Sequence, residues 1–236
     1  MSVKENLEVI YKKITDAEIK AGRKQGSVKL LAVSKFHPQQ AVKEAIAANQ
    51  FLFGENRVQE AMEKFPAILE ESPEVKLHII GQLQSNKVKN AVKIADCIQS
   101  VDRIDLLKEI EKQCAKIEKK IKVLFEVHTG EESKSGFTSR EELCKALDFC
   151  AEGNTPHIIP AGFMTMAPFT DDQNAIHKSF STLFNLAEKL KTEYKIFELE
   201  ELSMGMSGDF EAAIAEGSTM VRIGTAIFGE RDYTKK

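Results

Sequence analysis

Short apolar runs alternate with amphipathic helical segments along the whole sequence. Unbroken apolar runs of this kind are typical of strands that are buried on both faces, as in a parallel sheet. They are predicted as strands at residues 30–35, 51–53, 77–81, 97–101, 122–127, 158–164, 201–204 and 220–224. Apolar residues at helical spacing predict helices between them, including residues 38–49, 58–70, 104–119, 172–191 and 209–215.

Eight parallel strands is the number that closes a barrel. Only residues 225–236 follow the last predicted strand, too few for its helix, and residues 3–24 predict an extra helix ahead of the first strand that can fill this place. No G-x-G-x-x-G or Walker-type loop is present, which disfavours an open doubly wound sheet. The sequence therefore predicts an α/β fold, a single-domain (β/α)8 TIM barrel over residues 1–236 with an extra N-terminal helix.

Composition narrows the function. The chain of 236 residues has a net charge of −3 and a pI near 6.0, and a nucleic-acid-binding protein would need a basic stripe and usually a high pI. Residues 1–13 carry charges throughout, unlike a signal peptide, and no apolar run approaches the roughly 20 residues of a membrane helix. We therefore expect a cytoplasmic protein with neither a nucleic acid nor a membrane as partner. The four cysteines form no C-x-x-C pair and no zinc-like spacing with histidine, which predicts free thiols and no metal site.

The candidate chemistry gathers where the predicted strands end, because a barrel places its functional residues at the carboxyl ends of its strands. Lys35 ends the first strand. Ser207 and Gly208 follow the seventh strand, and Gly224 and Thr225 follow the eighth, where barrels often bind phosphate. An amine beside a phosphate site fits pyridoxal phosphate held as a Schiff base, and it fits equally a phosphorylated sugar in an aldolase-like reaction. Spacing does not separate these two ligands.

Taken singly, the same residues have structural explanations. Lys35 alone is most simply a salt-bridging residue at the end of a strand. Arg222 alone would most often pair with a carboxylate such as that of Glu55 or Asp102. His78 is as compatible with a packed, hydrogen-bonded core histidine as with the wall of a pocket.

Six segments together resemble the pyridoxal phosphate homeostasis protein family. They are residues 31–35 (LAVSK), 53–56 (FGEN), 78–87 (HIIGQLQSNK), 132–136 (ESKSG), 202–207 (LSMGMS) and 221–229 (VRIGTAIFG). The segments occur in order and span nearly the whole chain. The resemblance implies the single-domain barrel of fold-type III pyridoxal phosphate proteins, which is related to the N-terminal domain of alanine racemases.

The resemblance also implies a set of cofactor-binding residues. Lys35 would be the Schiff-base lysine, and Arg222 would face the pyridine nitrogen of pyridoxal 5'-phosphate. The phosphate would be held by Ser207, Gly224 and Thr225, and the pocket would be lined by Asn56 and His78. The family usually has asparagine where this chain has His128, which leaves the role of His128 open.

The same residues argue against catalysis. An arginine opposite the pyridine nitrogen disfavours its protonation by like-charge repulsion and makes the ring a weaker electron sink. Racemisation in the related enzymes also needs a tyrosine supplied by another domain and a partner chain. This chain has only Tyr11 and Tyr194, on predicted helices, and Tyr233, in the tail.

We therefore predict a monomer that acts in intracellular pyridoxal phosphate (vitamin B6) homeostasis. It would store the cofactor or deliver it to pyridoxal phosphate-dependent apo-enzymes through transient contacts. The alternative is a pyridoxal phosphate-dependent amino-acid racemase of the alanine racemase type.

Overall fold

The computed structural model describes residues 2–130 and 135–230. Eight parallel strands form one closed barrel in sequence order, which confirms the predicted fold. The strands are β1 (Lys29–Val33), β2 (Leu52–Glu55), β3 (Lys76–Ile79), β4 (Cys97–Val101), β5 (Ile121–Glu126), β6 (Ile158–Met164), β7 (Glu201–Ser203) and β8 (Met220–Ile223).

Helices follow the strands around the outside of the barrel. They are α1 (Val3–Lys20), α2 (Gln39–Ala47), α3 (Val58–Glu71), α4 (Val88–Ile94), α5 (Ile104–Ala115), α6 (Arg140–Ala151), α7 (Gln173–Glu193), α8 (Phe210–Ala215) and α9 (Thr225–Phe228), with a 3-10 turn at Ser85–Lys87. None of the helices within the described residues combines the length and the apolar character that crossing a lipid bilayer requires.

The helix α1 takes the place of a long helix after β8. It begins at a capping box, in which the Ser2 hydroxyl accepts a hydrogen bond from the Glu5 N–H and the Glu5 carboxylate accepts one from the Ser2 N–H. Its buried face includes Leu7, Ile10 and Ile14, and it packs against α8 and the four-residue α9. The extra N-terminal helix therefore completes the outer ring, as predicted.

Side chains alternate between the inside of the barrel and the layer beneath the helices, because successive residues of a strand point to opposite faces. On β1, Leu30 and Ala32 belong to the large core between barrel and helices, whereas Leu31 and Val33 form a separate cluster inside the barrel. Arg222 is the register partner of Leu31 on the neighbouring strand. It is therefore an inward-facing residue in the carboxyl-terminal half of β8.

Candidate functional site

Lys35 lies in the turn that leaves β1, at the mouth formed by the carboxyl ends of the strands. The strand ends at Val33, and the turn is closed by a hydrogen bond of 3.1 Å from the His37 N–H to the Ser34 carbonyl. Phe36 adopts a positive φ of 66°, which is uncommon for a residue other than glycine. The half-buried Lys35 is therefore presented by a turn of defined and slightly strained shape.

A buried ionic cluster behind this turn holds its backbone in place. Lys64, on α3, donates hydrogen bonds to the Ser34 carbonyl at 2.8 Å, to Glu55 Oε1 at 2.7 Å and to Glu60 Oε1 at 2.9 Å. The Ser34 hydroxyl also donates to Glu55 Oε1 at 2.7 Å, and the Phe36 N–H donates to Glu60 Oε1 at 2.5 Å. The residues on both sides of Lys35 are therefore tied to one lysine and two glutamates.

Glu55 is the most strongly buried member of this cluster. Its side chain is fully excluded from solvent, and burial raises the pKa of its carboxyl group although Lys64 and Ser34 act in the opposite direction. Its second oxygen, Oε2, receives no hydrogen bond within the described part of the chain. The carboxylate therefore depends on Lys64 for its charge compensation.

Arg222 is buried inside the barrel and is held by backbone carbonyls. Its Nη1 donates to the Ser203 carbonyl at 2.6 Å and to Ser203 Oγ at 2.9 Å, and its Nη2 donates to the Thr165 carbonyl at 2.8 Å. Burial lowers the pKa of Arg222 to about 10, while Asp209 and Glu126 act to raise it. The guanidinium therefore keeps its positive charge at neutral pH.

A chain of hydrogen bonds runs from Arg222 across the interior of the barrel. The Ser203 hydroxyl, which accepts from Arg222, donates to Gln99 Oε1 at 2.6 Å, and Gln99 Nε2 lies 2.7 Å from His78 Nδ1. An amide nitrogen is a donor only, so His78 Nδ1 accepts this bond. Burial lowers the pKa of His78 to about 4, and the ring is neutral at physiological pH.

His78 lies away from the turn of Lys35. Its ring lines a cavity at the amino-terminal end of the barrel, and the hydrogen bond it makes is to Gln99. Direct contact between His78 and a cofactor at the mouth stays a prediction. Asn56, in contrast, follows β2 directly, and its backbone lies so close to Gly81 that a Cβ there would approach the Asn56 carbonyl oxygen to 2.4 Å.

The loops predicted to bind phosphate follow β7 and β8, and β8 lies next to β1 in the barrel. A Cβ added at Gly224 would lie 2.9 Å from the Val33 carbonyl oxygen, so the backbone after β8 packs closely on the end of β1. Thr225 follows and is exposed at the start of α9. After β7, Gly205 adopts a φ of +95° and turns the chain toward Ser207, which is exposed.

Two acidic groups near Arg222 were not among the residues singled out in the sequence. Glu126, at the end of β5, is buried, and burial raises its pKa although Ser135 Oγ donates to it at 2.6 Å. Asp209 accepts a bond of 2.5 Å from the Met206 N–H, and burial likewise raises its pKa. A signal was available for Glu126, because a carboxylate at the end of an apolar strand faces the barrel mouth.

The ionic cluster was missed as well. Its signal in the sequence is the spacing of Glu60 and Lys64, which places the two side chains one turn apart on a helix. The link from Lys64 to Glu55 and to the turn at Ser34 has no local signature, since it joins different elements.

Tyr11 lies on α1, as predicted, whereas Tyr194 directly follows α7, one residue beyond the end of that helix. The Tyr11 hydroxyl donates to Gln50 Oε1 at 2.6 Å, just before β2 begins. The Tyr194 hydroxyl donates to Asp148 Oδ1 at 2.8 Å. Both contacts lie toward the amino-terminal ends of the strands. Tyr233 and residues 132–134 of the ESKSG segment lie outside the described residues.

Comparison with known proteins gives one consistent result. The family described as "Alanine racemase, N-terminal domain" matches residues 6–232. The chain is 39% identical to the pyridoxal phosphate homeostasis protein of Pasteurella multocida over 100% of both chains, and 41% identical to that of Vibrio alginolyticus over 99% of both. The structure of PipY from Synechococcus elongatus with pyridoxal phosphate bound has a TM-score of 0.82 and 33% identity, over 97% of this chain and 100% of PipY.

Proposed function

The chain belongs to the pyridoxal phosphate homeostasis protein family, and from this premise we propose that it binds pyridoxal 5'-phosphate through a Schiff base on Lys35. The observation that carries the proposal is the adjacency of two loops at the mouth of the barrel. The turn of Lys35 leaves β1, and the loop of Gly224 and Thr225 leaves its neighbour β8. A Cβ added at Gly224 would lie 2.9 Å from the Val33 carbonyl oxygen, so the two loops begin close together. The turn that carries Lys35 and the loop that we assign to the phosphate therefore lie side by side at the mouth, which supports the proposal.

The phosphate is assigned to the loops after β7 and β8. Ser207 and Thr225 offer exposed hydroxyls, and the first N–H groups of α9 have no partner within that helix. The backbone at Gly208, next to Ser207, is uncrowded, since a Cβ added there would meet no atom within 4 Å. Asn56, after β2, lies on the other side of Lys35 and is assigned to the pocket wall. These features support the fit of the cofactor to this mouth.

Arg222 is assigned to the pyridine nitrogen. Its remaining N–H groups and its positive charge favour a ring nitrogen that accepts a hydrogen bond and carries no proton. A cofactor bound in this way supplies a reactive aldehyde but a weak electron sink. This supports a role in storing pyridoxal phosphate and delivering it to apo-enzymes, rather than in turning over amino acids.

The proposal extends to the behaviour of the chain as a whole. We assign residues 1–236 to one domain that is a monomer and acts in the cytoplasm in vitamin B6 homeostasis. Gel filtration with light scattering tests the monomer, because a mass of twice 26.4 kDa would contradict it.

An absorbance titration tests cofactor binding. Adding pyridoxal phosphate to the protein is expected to produce an imine band near the visible edge that saturates at one cofactor per chain. Lys35→Ala is expected to abolish the band, whereas Lys43→Ala, which removes an exposed lysine of α2, is expected to leave it unchanged. An unchanged band in Lys35→Ala would refute the assignment.

A racemisation assay on the same protein distinguishes storage of the cofactor from racemisation of amino acids. Incubation with a panel of L-amino acids at concentrations far above that of the protein is expected to leave their optical rotation unchanged. Loss of optical rotation with turnover would instead establish the racemase. A protein that gains no band with pyridoxal phosphate but binds a sugar phosphate at Lys35 would support the aldolase-like alternative.

A further inference from the structure

The barrel contains a cavity at the end opposite to Lys35. It has a volume of about 520 Å³ and is lined by the first residues of several strands, among them Lys29, Lys76 and Cys97. Lys29 begins β1, whereas Lys35 follows its end, so the length of the strand separates the two. In a TIM barrel this end is ordinarily filled by packed, branched side chains and serves stability.

The rim of this cavity carries an excess of positive charge. It is lined by four lysines and two carboxylates, namely Lys29, Lys76, Lys120, Lys122, Asp96 and Glu201. Lys29 pairs with Glu201, and Lys76 pairs with Asp96 at 3.3 Å. Within residues 2–130 and 135–230, Lys120 and Lys122 make no ion pair. Two lysines are therefore available to compensate an anion at the rim.

The inner end of the cavity is apolar with one polar group. Leu124, Ala161 and Met220 form apolar wall, and His78 lies among them. Because Nδ1 of the neutral His78 accepts from Gln99, its proton is on Nε2, and no described residue hydrogen-bonds to Nε2. The deep part of the cavity therefore offers an apolar surface and an N–H donor.

Glu201 provides an independent sign of a missing partner. One of its oxygens, Oε1, pairs with Lys29. The other, Oε2, is buried and receives no hydrogen bond within the described part of the chain. Buried carboxylate oxygens normally have a donor, so this atom is free to accept a hydrogen bond from a group or an ordered water in the cavity.

We propose that the amino-terminal end of the barrel is a second binding site, which takes a small organic anion with an apolar ring or short chain. The anionic group lies at the rim between Lys120 and Lys122, and the apolar part reaches Leu124 and Ala161. A hydroxyl or similar donor on the ligand satisfies Glu201 Oε2. The alternative is that the lysines only keep this end of the barrel soluble, and it predicts no binding.

Calorimetric titration with phenyl phosphate tests the proposal. The titration uses protein whose mouth has been filled with pyridoxal phosphate and reduced with borohydride, so that the phosphate loops at Lys35 do not compete. Phenyl phosphate is expected to bind with a Kd of about 1 mM or tighter. Inorganic phosphate, which lacks the ring, and benzyl alcohol, which lacks the charge, are each expected to bind at least about tenfold more weakly.

Matched variants locate the binding. Lys120→Gln/Lys122→Gln is expected to weaken the binding of phenyl phosphate about tenfold. Added salt should weaken binding to the unsubstituted protein, because both lysines are exposed, and should have a smaller effect on the variant. Lys12→Gln/Lys13→Gln, which removes two exposed lysines from α1, is expected to leave the affinity unchanged. All four positions are exposed, so the variants should fold.

Three results would overturn the proposal. They are no binding heat up to about 20 mM phenyl phosphate, an unchanged affinity in the Lys120/Lys122 variant, and equal binding of inorganic phosphate. If the mouth takes up no pyridoxal phosphate at all, the proposed function fails, but the lysine variants still decide whether the cavity at the amino-terminal end binds the probe.

Discussion

Lys64 is expected to be the most sensitive position outside the cofactor pocket. Its side chain is 6% exposed, and its ammonium group contacts the Glu55 carboxylate, which is fully buried. Lys64→Met keeps the length of the side chain but leaves that carboxylate without its cation. Breaking a buried ion pair in this way costs about 3–5 kcal/mol. The total stability of a domain is about 5–15 kcal/mol, so the loss is a large share of it.

The stability lost in Lys64→Met should depend on pH, and the pKa of Glu55 determines the direction of this dependence. Burial already raises the pKa of the Glu55 carboxyl, and removal of Lys64 raises it further. A carboxyl group whose pKa is higher in the folded state favours folding at low pH, and this contribution disappears as the pH rises through the folded-state value. The Lys64→Met variant is therefore expected to lose more stability near pH 8 than near pH 5.

Urea unfolding followed by circular dichroism measures both effects. Lys43→Met is the control, because its ion pair with Glu71 is exposed and should contribute less than about 1 kcal/mol. Glu55→Gln/Lys64→Met, which removes both charges, should be more stable than Lys64→Met alone. The account of the cluster would be refuted if Lys64→Met lost no more stability than Lys43→Met, or if the double variant were the less stable one.

Two further substitutions test the interior and the mouth. Gln99→Leu removes the hydrogen-bond partner of His78 and of Ser203, and we expect a loss of about 1–3 kcal/mol in urea unfolding; a loss below about 0.5 kcal/mol would contradict the observed chain of bonds. Gly224→Ala places a Cβ 2.9 Å from a backbone oxygen and is expected to lower the Tm by several degrees, roughly 2–4 °C per kcal/mol, whereas Gly208→Ala meets no atom within 4 Å and should leave the Tm unchanged; equal Tm values in the two variants would contradict this packing.

The order and number of the strands were predictable from the sequence. Short apolar runs mark buried strands directly, and eight of them leave few alternatives to a closed barrel. The strand ends were less predictable. β1 was expected to extend to Lys35 but ends at Val33, because Ser34 turns to bond Glu55. β2 was expected to end at residue 53 but continues through Glu55, whose charge makes a buried strand end resemble a loop.

The polar contacts inside the barrel were not predictable. Gln99 and Ser203 are far apart in the sequence, and their hydrogen bond depends on a register that only the closed barrel defines. The alternative in which Arg222 pairs with Glu55 or Asp102 is wrong, because each of these carboxylates has another partner. Glu55 faces the helix layer and pairs with Lys64, and Asp102 pairs with Arg103 at 2.5 Å.

Some residues of the candidate site could be predicted from the sequence, and others could not. Lys35, Ser207, Gly224 and Thr225 could be named from the sequence because they follow strands, and parallel strands end together at one face. The residues that hold these positions in place, such as Lys64 behind the turn of Lys35, could not be predicted, because they lie on other elements. The cavity at the opposite end has no sequence motif either, since its lysines are single residues at the starts of separate strands.

The most direct test of the account is to identify the lysine that carries the cofactor. Pyridoxal phosphate is added to the protein, the imine is reduced with borohydride, and the modified residue is located by peptide mass mapping. We predict one reduced pyridoxyl phosphate group per chain, on Lys35. A group on any other lysine, or no added mass, would contradict the assignment of Lys35 as the cofactor-binding residue.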